Sequence, residues 1–404
     1  GLIIDDEEHD SSFKQGEGFR YSARDLAVVR ASQANVPIVL GSATPALETY
    51  RNALDGRYQL LPLKNRIQAA LPAIHCVDLR QQKAEDGLSP ALIGAIRERI
   101  ARHEQSMVFI NRRGYAPVLM CGSCGWMSDC ERCSAKLVLH LRDRRLRCHH
   151  CGHDSAVPLA CPECGDADLA PVGQGTQRVE AALIGHFPQA RILRIDRDTT
   201  RPKDAWPAMR ERIRDRDVDI LIGTQILAKG HDFPHLNLVG VINADSMLYS
   251  NDFRASERLY ALLTQVAGRA GRGSLPGMVL VQTQFPDHPL YAALRDQNFD
   301  AFARSQLTER QQAGFPPYVH QALLRAEARD LKTALGFLEQ AARSAEGLDS
   351  GVAVFDPVPA NMMRRAGRER AQLLVQTPSR GALRSFLNAW RPLLAEGEST
   401  PARW

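Results

Sequence analysis

The chain has no apolar run approaching the roughly 18 residues that a membrane-crossing helix needs, which excludes a helical membrane protein. It has no internal repeat and no low-complexity linker, so solenoids and disordered tethers are set aside. Charge of one sign is also scarce. Fifty-one basic against 46 acidic residues leave a net +5 over 404 positions, too little to require a polyanionic partner. Lysine is nearly missing: seven of the basic residues are Lys and 44 are Arg, a bias that planar-fork binding of phosphates and a GC-rich genome explain equally well. No signal-peptide pattern opens the chain, which points to the cytoplasm, a reducing compartment. What remains is 44% hydrophobic and 24% charged, a globular composition long enough for roughly two to four domains.

Apolar runs at 1–4 and 37–40 flank a helical stretch at 23–34, the rhythm of a parallel sheet. A second such region has strands at 106–110, 190–195, 219–223, 238–243 and 277–282, with helices at 177–187 and 255–267, and is interrupted by a Cys-rich block. From about 290 the pattern changes to long helices and two strands, 321–326 and 371–376, an α+β domain. The expected division is 1–66 for the carboxyl-terminal part of one α/β lobe, 67–120 with 173–289 for a second, 121–172 for the insertion, and 290–404 for the α+β domain. The opening Gly1-Leu2-Ile3-Ile4 reads directly as a strand, and the chain stops at Trp404, so both ends are expected to be cut inside a longer protein.

Asp6-Glu7-Glu8-His9 follows the first strand at its carboxyl end, where open α/β sheets place their ligand crevice. There Asp6 can hold magnesium and Glu7 can orient and deprotonate a water; a solvated acidic turn is the bland alternative. Gly41-Ser42-Ala43-Thr44-Pro45 follows the next strand on the same edge, and its small residues suit a relay between lobes. Gln265-x-x-Gly268-Arg269-x-Gly271-Arg272 sets two guanidiniums one helical turn apart on one face, able to reach a γ-phosphate as arginine fingers do; a basic solvated helix end competes. Thr224 and the segment from Lys229 through Gly230 and Asp232 suit phosphate contacts after another strand.

In this order the four elements resemble motifs II, III, V and VI of superfamily 2 helicases and translocases. Together with Asp10 through Gln15, Asn111-Arg112-Arg113-Gly114, Arg194 through Thr200 and the Cys-rich insertion, they resemble the PriA-type replication-restart helicases, over nearly the whole chain. The resemblance implies RecA-like lobes and an ATP- and Mg2+-dependent DNA helicase with 3′ to 5′ polarity. It also implies action at stalled forks on forked and single-stranded DNA, single-stranded-DNA-binding protein and primosome proteins as partners, and a place at the nucleoid. The family's Gly-x-x-x-x-Gly-Lys phosphate loop does not occur in these 404 residues, and Asp5 stands where an aliphatic residue is expected. The chain alone is therefore not expected to hydrolyse ATP. The alternatives are a non-catalytic DNA-binding primosome scaffold, which retention of Glu7 and both arginines disfavours, and a double-strand translocase, which the Cys pairs disfavour.

Eight of the nine Cys form four Cys-x-x-Cys pairs between Cys121 and Cys164, the thiolate count of two tetrahedral zinc sites. The sites can pair sequentially, interleaved or nested. The inner pairs enclose a hairpin around 142–145, which favours Cys130, Cys133, Cys148 and Cys151 on one zinc and Cys121, Cys124, Cys161 and Cys164 on the other; the resemblance implies the same nesting. With every position filled by thiolate no catalytic water has room, so both zinc ions are expected to be structural. His149, His150 and His153 are not needed as ligands, and Cys76 reads as a buried thiol.

The segment 13–21 mixes Phe13, Phe19 and Tyr21 with Lys14 and Arg20 on a Gly-bearing loop, a composition that stacks bases and grips phosphates; core aromatics are the competing reading. The resemblance implies a loop that senses single-stranded DNA and couples it to hydrolysis. Gly173-x-Gly175-Thr176 before a helix offers amides to a DNA phosphate, or forms an ordinary capped turn. Basic residues at 364–370 read as a solvated face.

Overall fold

The computed structural model describes the chain except residues 17, 64–70, 112–117, 133–135, 141–143, 149–152, 173–175, 197, 198, 201, 203, 229–232, 249–251, 272–276, 349, 350 and 397–404. Cys133, Cys151, Gly230, Asp232 and Arg272 thus lie outside the described residues. The chain forms two compact units, Gly1–Arg113 with Thr176–Glu309, and Gly114–Gly175 with Arg310–Trp404.

The first unit is built on a six-stranded, wholly parallel sheet. Its spatial order is Ile192–Ile195, Ile220–Gly223, Gln105–Ile110, Leu236–Ile242, Met278–Thr283 and Ala73–Asp78. The central strands are buried at every position because helices cover both faces, which is why they read as continuous apolar runs. Alternate side chains part to opposite sides. Met107 and Phe109 join a core with Leu259, Leu263 and Val266 of helix Ala255–Ala267, while Val108 and Ile110 meet Leu92 and Ile96 of Pro90–Ala101 and Leu183 of Thr176–His186. Each such fully buried side chain contributes about 1.5–3 kcal/mol of transfer free energy. A Cβ at Gly277 would stand 2.6 Å from the backbone of Ala270 and Gly271, so glycine lets the strand start against that turn.

Helices Pro289–Arg295 and Phe299–Gln312 differ from expectation. Leu290, Tyr291, Leu294 and Phe302 pack into the first unit's core, with Phe302 stacked 4.1 Å from Tyr260, so this unit runs past the boundary read at 290. The unit also holds a two-stranded parallel sheet in which Ile3–Asp6 pairs with Ile38–Gly41 and Asp6 stands opposite Gly41. The carboxyl ends of both strands, with the residues that follow them, therefore share one edge.

In the second unit a five-stranded antiparallel sheet runs Asp154–Ala156, Arg145–Arg147, Val138–His140, Val118–Cys121 and Leu169–Val172. A separate antiparallel sheet centres on Arg368–Thr377, paired with His320–Ala328, Ala353–Val354 and Val358–Arg365. Ala371, Leu373 and Val375 alternate inward against Phe337 and Leu338 of helix Leu331–Glu346 and Phe386 and Trp390 of helix Arg380–Glu396. The basic stretch at 364–370 is a hairpin turn at Ala366 and Gly367, both with left-handed backbone. Gly367 N–H donates to Arg132 O (2.8 Å) and the Arg364 guanidinium to Cys130 O (3.3 Å), which holds the turn on the Cys-rich segment.

Candidate active site and zinc centre

Asp6 and Glu7 leave the strand end exposed to solvent. Glu7 has a left-handed backbone (φ 52°), a conformation that costs a non-glycine residue about 1–3 kcal/mol and has to be held by its surroundings. The hold comes from both sides. Asp6 Oδ1 accepts the Glu7 N–H at 3.0 Å, and the Glu8 N–H donates to Gly41 O at 3.1 Å. Glu8 is only 2% exposed, and its carboxylate accepts from Ala46 N (2.7 Å), Thr49 Oγ1 (3.0 Å) and Arg24 Nη1 (3.1 Å).

His9 carries the connection onward. Its Nδ1 lies 2.7 Å from Ser42 Oγ and 3.5 Å from Glu7 Oε2, and its Nε2 lies 3.3 Å from Gln265 Nε2. With the Gln265 amide donating to Nε2, Nδ1 bears the proton and donates to Ser42. Ser42 Oγ also accepts the Thr44 N–H at 3.0 Å. Thr44 is buried, and its Oγ1 has no hydrogen-bond partner among the described residues. Further ties join the segment after Thr44 to the second sheet's side: Leu47 N donates to Glu257 (2.9 Å), and Arg254 pairs with Glu48 at 2.5 Å.

Arg269 is buried in the turn after the helix, its N–H donating to Val266 O. Here the sequence expectation needs correcting. The helix ends at Ala267 and Gly271 turns left-handed (φ 68°), so Arg269 lies in a turn past the helix rather than on a helix face; its expected companion Arg272 is outside the described residues. Thr224 is half-buried, and its carbonyl starts the short helix Gln225–Ala228 by accepting from Leu227 N. Thr176 is buried at the start of its helix and its hydroxyl donates to Asp196 at 2.8 Å, an internal bond that the phosphate-turn reading did not foresee.

In the 13–21 segment Lys14–Gln15 pairs antiparallel with Tyr21–Ser22, and Gly18 turns the tip at φ 65°. Phe19 is 85% exposed, its ring 6.1 Å from that of Tyr21, while Lys14 and Arg20 are exposed and Phe13 is half-buried. Phe19 is thus not a core aromatic. Sequence reasoning did not foresee the contacts that Glu8, Arg24, His9 and Ser42 make here. The available signal was the two motifs facing each other on paired strand ends.

Cys121, Cys124, Cys161 and Cys164 converge, all four Sγ atoms within 4.8 Å of one another, with Cys121 to Cys164 and Cys124 to Cys161 each 3.6 Å. A tetrahedron of thiolates with Zn–S near 2.3 Å has edges of about 3.8 Å, so the donor set fits zinc. Two matching turns build it. Gly125 N–H donates to Cys121 O and Gly165 N–H to Cys161 O, and both glycines sit at φ 76°, which a side chain would oppose. Burial raises the Cys161 thiol, but hydrogen bonds from the backbone N–H groups of Cys164 and Glu163, with those of the Cys124 and Cys164 side chains, outweigh it and bring it to about 7. Cys130 and Cys148 are buried together with Leu119, Leu137, Leu139 and Leu146.

Three family models match: the helicase conserved C-terminal domain over residues 174–274, the PriA DNA helicase Cys-rich region domain over 130–155, and the primosomal protein N C-terminal domain over 311–403. The Cys-rich region is accordingly a zinc-binding one. A replication restart protein PriA of Haemophilus influenzae is 43% identical over 401 residues, 99% of this chain and 55% of that protein. The one of Bacillus subtilis is 38% identical over 392 residues, 96% and 49%. The chain thus spans about half the length of these relatives. Among solved structures, Mycobacterium smegmatis helicase Lhr bound to ssDNA and AMP-PNP aligns with 74% of this chain and 31% of its own, at 16% identity and a TM-score of 0.38. On its family-model matches and on identities near 40% along almost its entire length, the chain belongs to the PriA family.

Proposed function

We propose that the chain is the part of an ATP-dependent, 3′ to 5′ DNA helicase that carries the hydrolytic carboxylates, the second RecA-like lobe and two structural zinc ions. The protein would act in replication restart at stalled forks, in the cytoplasm at the nucleoid, with single-stranded-DNA-binding protein and primosome proteins as partners. The observation that carries this reading is the His9 bridge. One imidazole touches Ser42 beside the acidic strand end and Gln265 at the end of the helix that leads to Arg269, which is the juxtaposition that hydrolysis between two lobes requires.

Magnesium and ATP would supply the activated γ-phosphate and neutralise its charge. Asp6 and Glu7 are exposed hard-oxygen donors at a sheet edge, which suits magnesium and water. Asp6 would hold the ion, and Glu7 would orient the attacking water and take its proton. Arg269, with Arg272, would meet the γ-phosphate; Gln265 positions them, while Gly230 and Asp232 contact nucleotide. Thr44, Thr176 and Thr224 would link these groups to the DNA path. No described helix is long and apolar enough to cross a membrane.

The 404-residue chain by itself should show no ATP hydrolysis above background with or without single-stranded DNA, because no phosphate loop is in it to grip the β- and γ-phosphates. Robust DNA-stimulated turnover by this chain would overturn the assignment. A second measurement separates stacking from charge at the exposed loop. Phe19→Ala should weaken single-strand binding by about 1–3 kcal/mol at every salt concentration. Arg20→Ala or Lys14→Ala should instead flatten the dependence of affinity on salt, since each phosphate contact releases about one counterion. Titrations across a salt series read both, and wild-type affinity and slope in all three variants would remove the loop from the DNA interface.

A further inference from the structure

We infer that Glu8 and Arg24 form the linkage through which the 13–21 loop sets the position of Glu7, so that both are positioning residues for a DNA-dependent hydrolysis. The inference rests on the reading given under Proposed function and goes beyond it by naming how the loop would reach the catalytic carboxylate.

Buried carboxylates need donors, and Glu8 takes all of its own from elements other than the strand it follows. Ala46 N and Thr49 Oγ1 fix it to the start of helix Leu47–Leu54, while Arg24 shares Oε2 with Thr49. Glu7 lies directly between Asp6 and Glu8 in a left-handed backbone held by Asp6 Oδ1 on its N–H and by Gly41 O on the N–H of Glu8, so a shift of Glu8 turns the peptide that aims Glu7. Arg24 in turn is the second residue of helix Ala23–Ala34, capped by Ser22 Oγ accepting from Asp25 N (3.3 Å). Ser22 and Tyr21 are the strand that closes the loop bearing Phe19. A base stacking on Phe19 and Tyr21 therefore pulls on the strand whose next turn presents Arg24. The guanidinium reaches the buried carboxylate with Nη1 at 3.1 Å while its Nε donates to Asp25 (3.0 Å), a two-ended grip that transmits displacement. His9, one residue further on, faces Gln265 instead, so the two side chains following Glu7 serve different partners, Glu8 the helix that follows the loop and His9 the helix Ala255–Ala267.

The test uses the full-length protein and reads ATP hydrolysis with and without a single-stranded oligonucleotide, oligonucleotide affinity, and melting temperature. Arg24→Gln should lower the stimulation ratio about tenfold while the DNA-free rate and DNA affinity stay within about twofold of wild type, and Arg24→Lys should restore most of the ratio. Combined with Phe19→Ala, Arg24→Gln should add little further loss, because both lie on one path. Should Arg24→Gln fail to fold, Glu8→Gln keeps an oxygen for Ala46 N and turns an amide N–H toward the Thr49 hydroxyl, which can accept it, and toward the Arg24 guanidinium, which cannot, so it should lose stimulation in the same way. Parallel loss of both rates, no recovery with Lys, or additive losses with Phe19→Ala would overturn the linkage. Absence of DNA stimulation in the wild-type protein would instead overturn the proposed function.

Discussion

Chelating zinc should unfold the five-stranded sheet of the Cys-rich region and leave the six-stranded parallel sheet protected. The reason is the size of the two cores. The Cys-rich sheet closes over Leu119, Cys130, Leu137, Leu139, Leu146 and Cys148, too few side chains to stabilise about 60 residues without a cross-link. In zinc-finger peptides the metal supplies about 10–16 kcal/mol, which exceeds anything this core provides. Elemental analysis should find two zinc ions per chain, and one ion, or iron, would sink the two-site proposal. Hydrogen exchange after chelation should show Val118–Cys121 and Leu169–Val172 losing protection. The Gly367 amide should exchange faster as well, since its acceptor is Arg132 O, two residues from Cys130, which the proposed nesting puts on the inner zinc. Cys130→Ser should release one zinc while the four thiols of Cys121, Cys124, Cys161 and Cys164 keep the other. Loss of both, or disturbance of the outer four, would favour sequential pairing over nesting.

The parallel sheet was legible because strands covered on both faces have to be apolar at nearly every position, as Ile220–Gly223 and Leu236–Ile242 are. The edge strand Ala73–Asp78 was not, because only Ile74 and Val77 of its six residues are buried and its alternation runs through His75 and Cys76. The pair Ala353–Val354 and Val358–Arg365 escaped notice for the same reason: short or half-exposed strands carry little apolar signal. At the site, Asp6 and Glu7 could be read from their place after a strand. The burial of Glu8 could not, since the fourth acid in an acidic run looks solvated, and its donors stand 16, 38 and 41 residues away. The contact of His9 with Gln265 spans 256 residues and exists only once the two sheets are folded. Thr176 shows the opposite case. The sequence offered its backbone amide to a phosphate, and nothing in it signals that Asp196, just past the strand Ile192–Ile195, takes the hydroxyl; Gly173 and Gly175 of the same turn are outside the described residues.

Glu7→Gln in the full-length protein should bind ATP as wild type does and turn it over about 10²- to 10⁴-fold more slowly, the usual contribution of a positioned general base. The substitution isolates proton transfer from geometry. Glutamine has the same shape as glutamate, and the left-handed backbone at this position is held by Asp6, Glu8 and Gly41, none of which is altered. Asp6 keeps its carboxylate for magnesium, so nucleotide affinity should not change. The contact between Glu7 Oε2 and His9 Nδ1, at 3.5 Å, is the weaker of the two that Nδ1 makes; Ser42 at 2.7 Å holds the imidazole without it. The bridge to Gln265 should therefore persist, and the loss should fall on kcat with KM little changed, both with and without DNA. That pattern separates Glu7 from Glu8, whose replacement should act on DNA stimulation. Wild-type turnover in Glu7→Gln would show that another group takes the proton. A fall in ATP affinity matching the fall in rate would place Glu7 in metal or nucleotide binding instead.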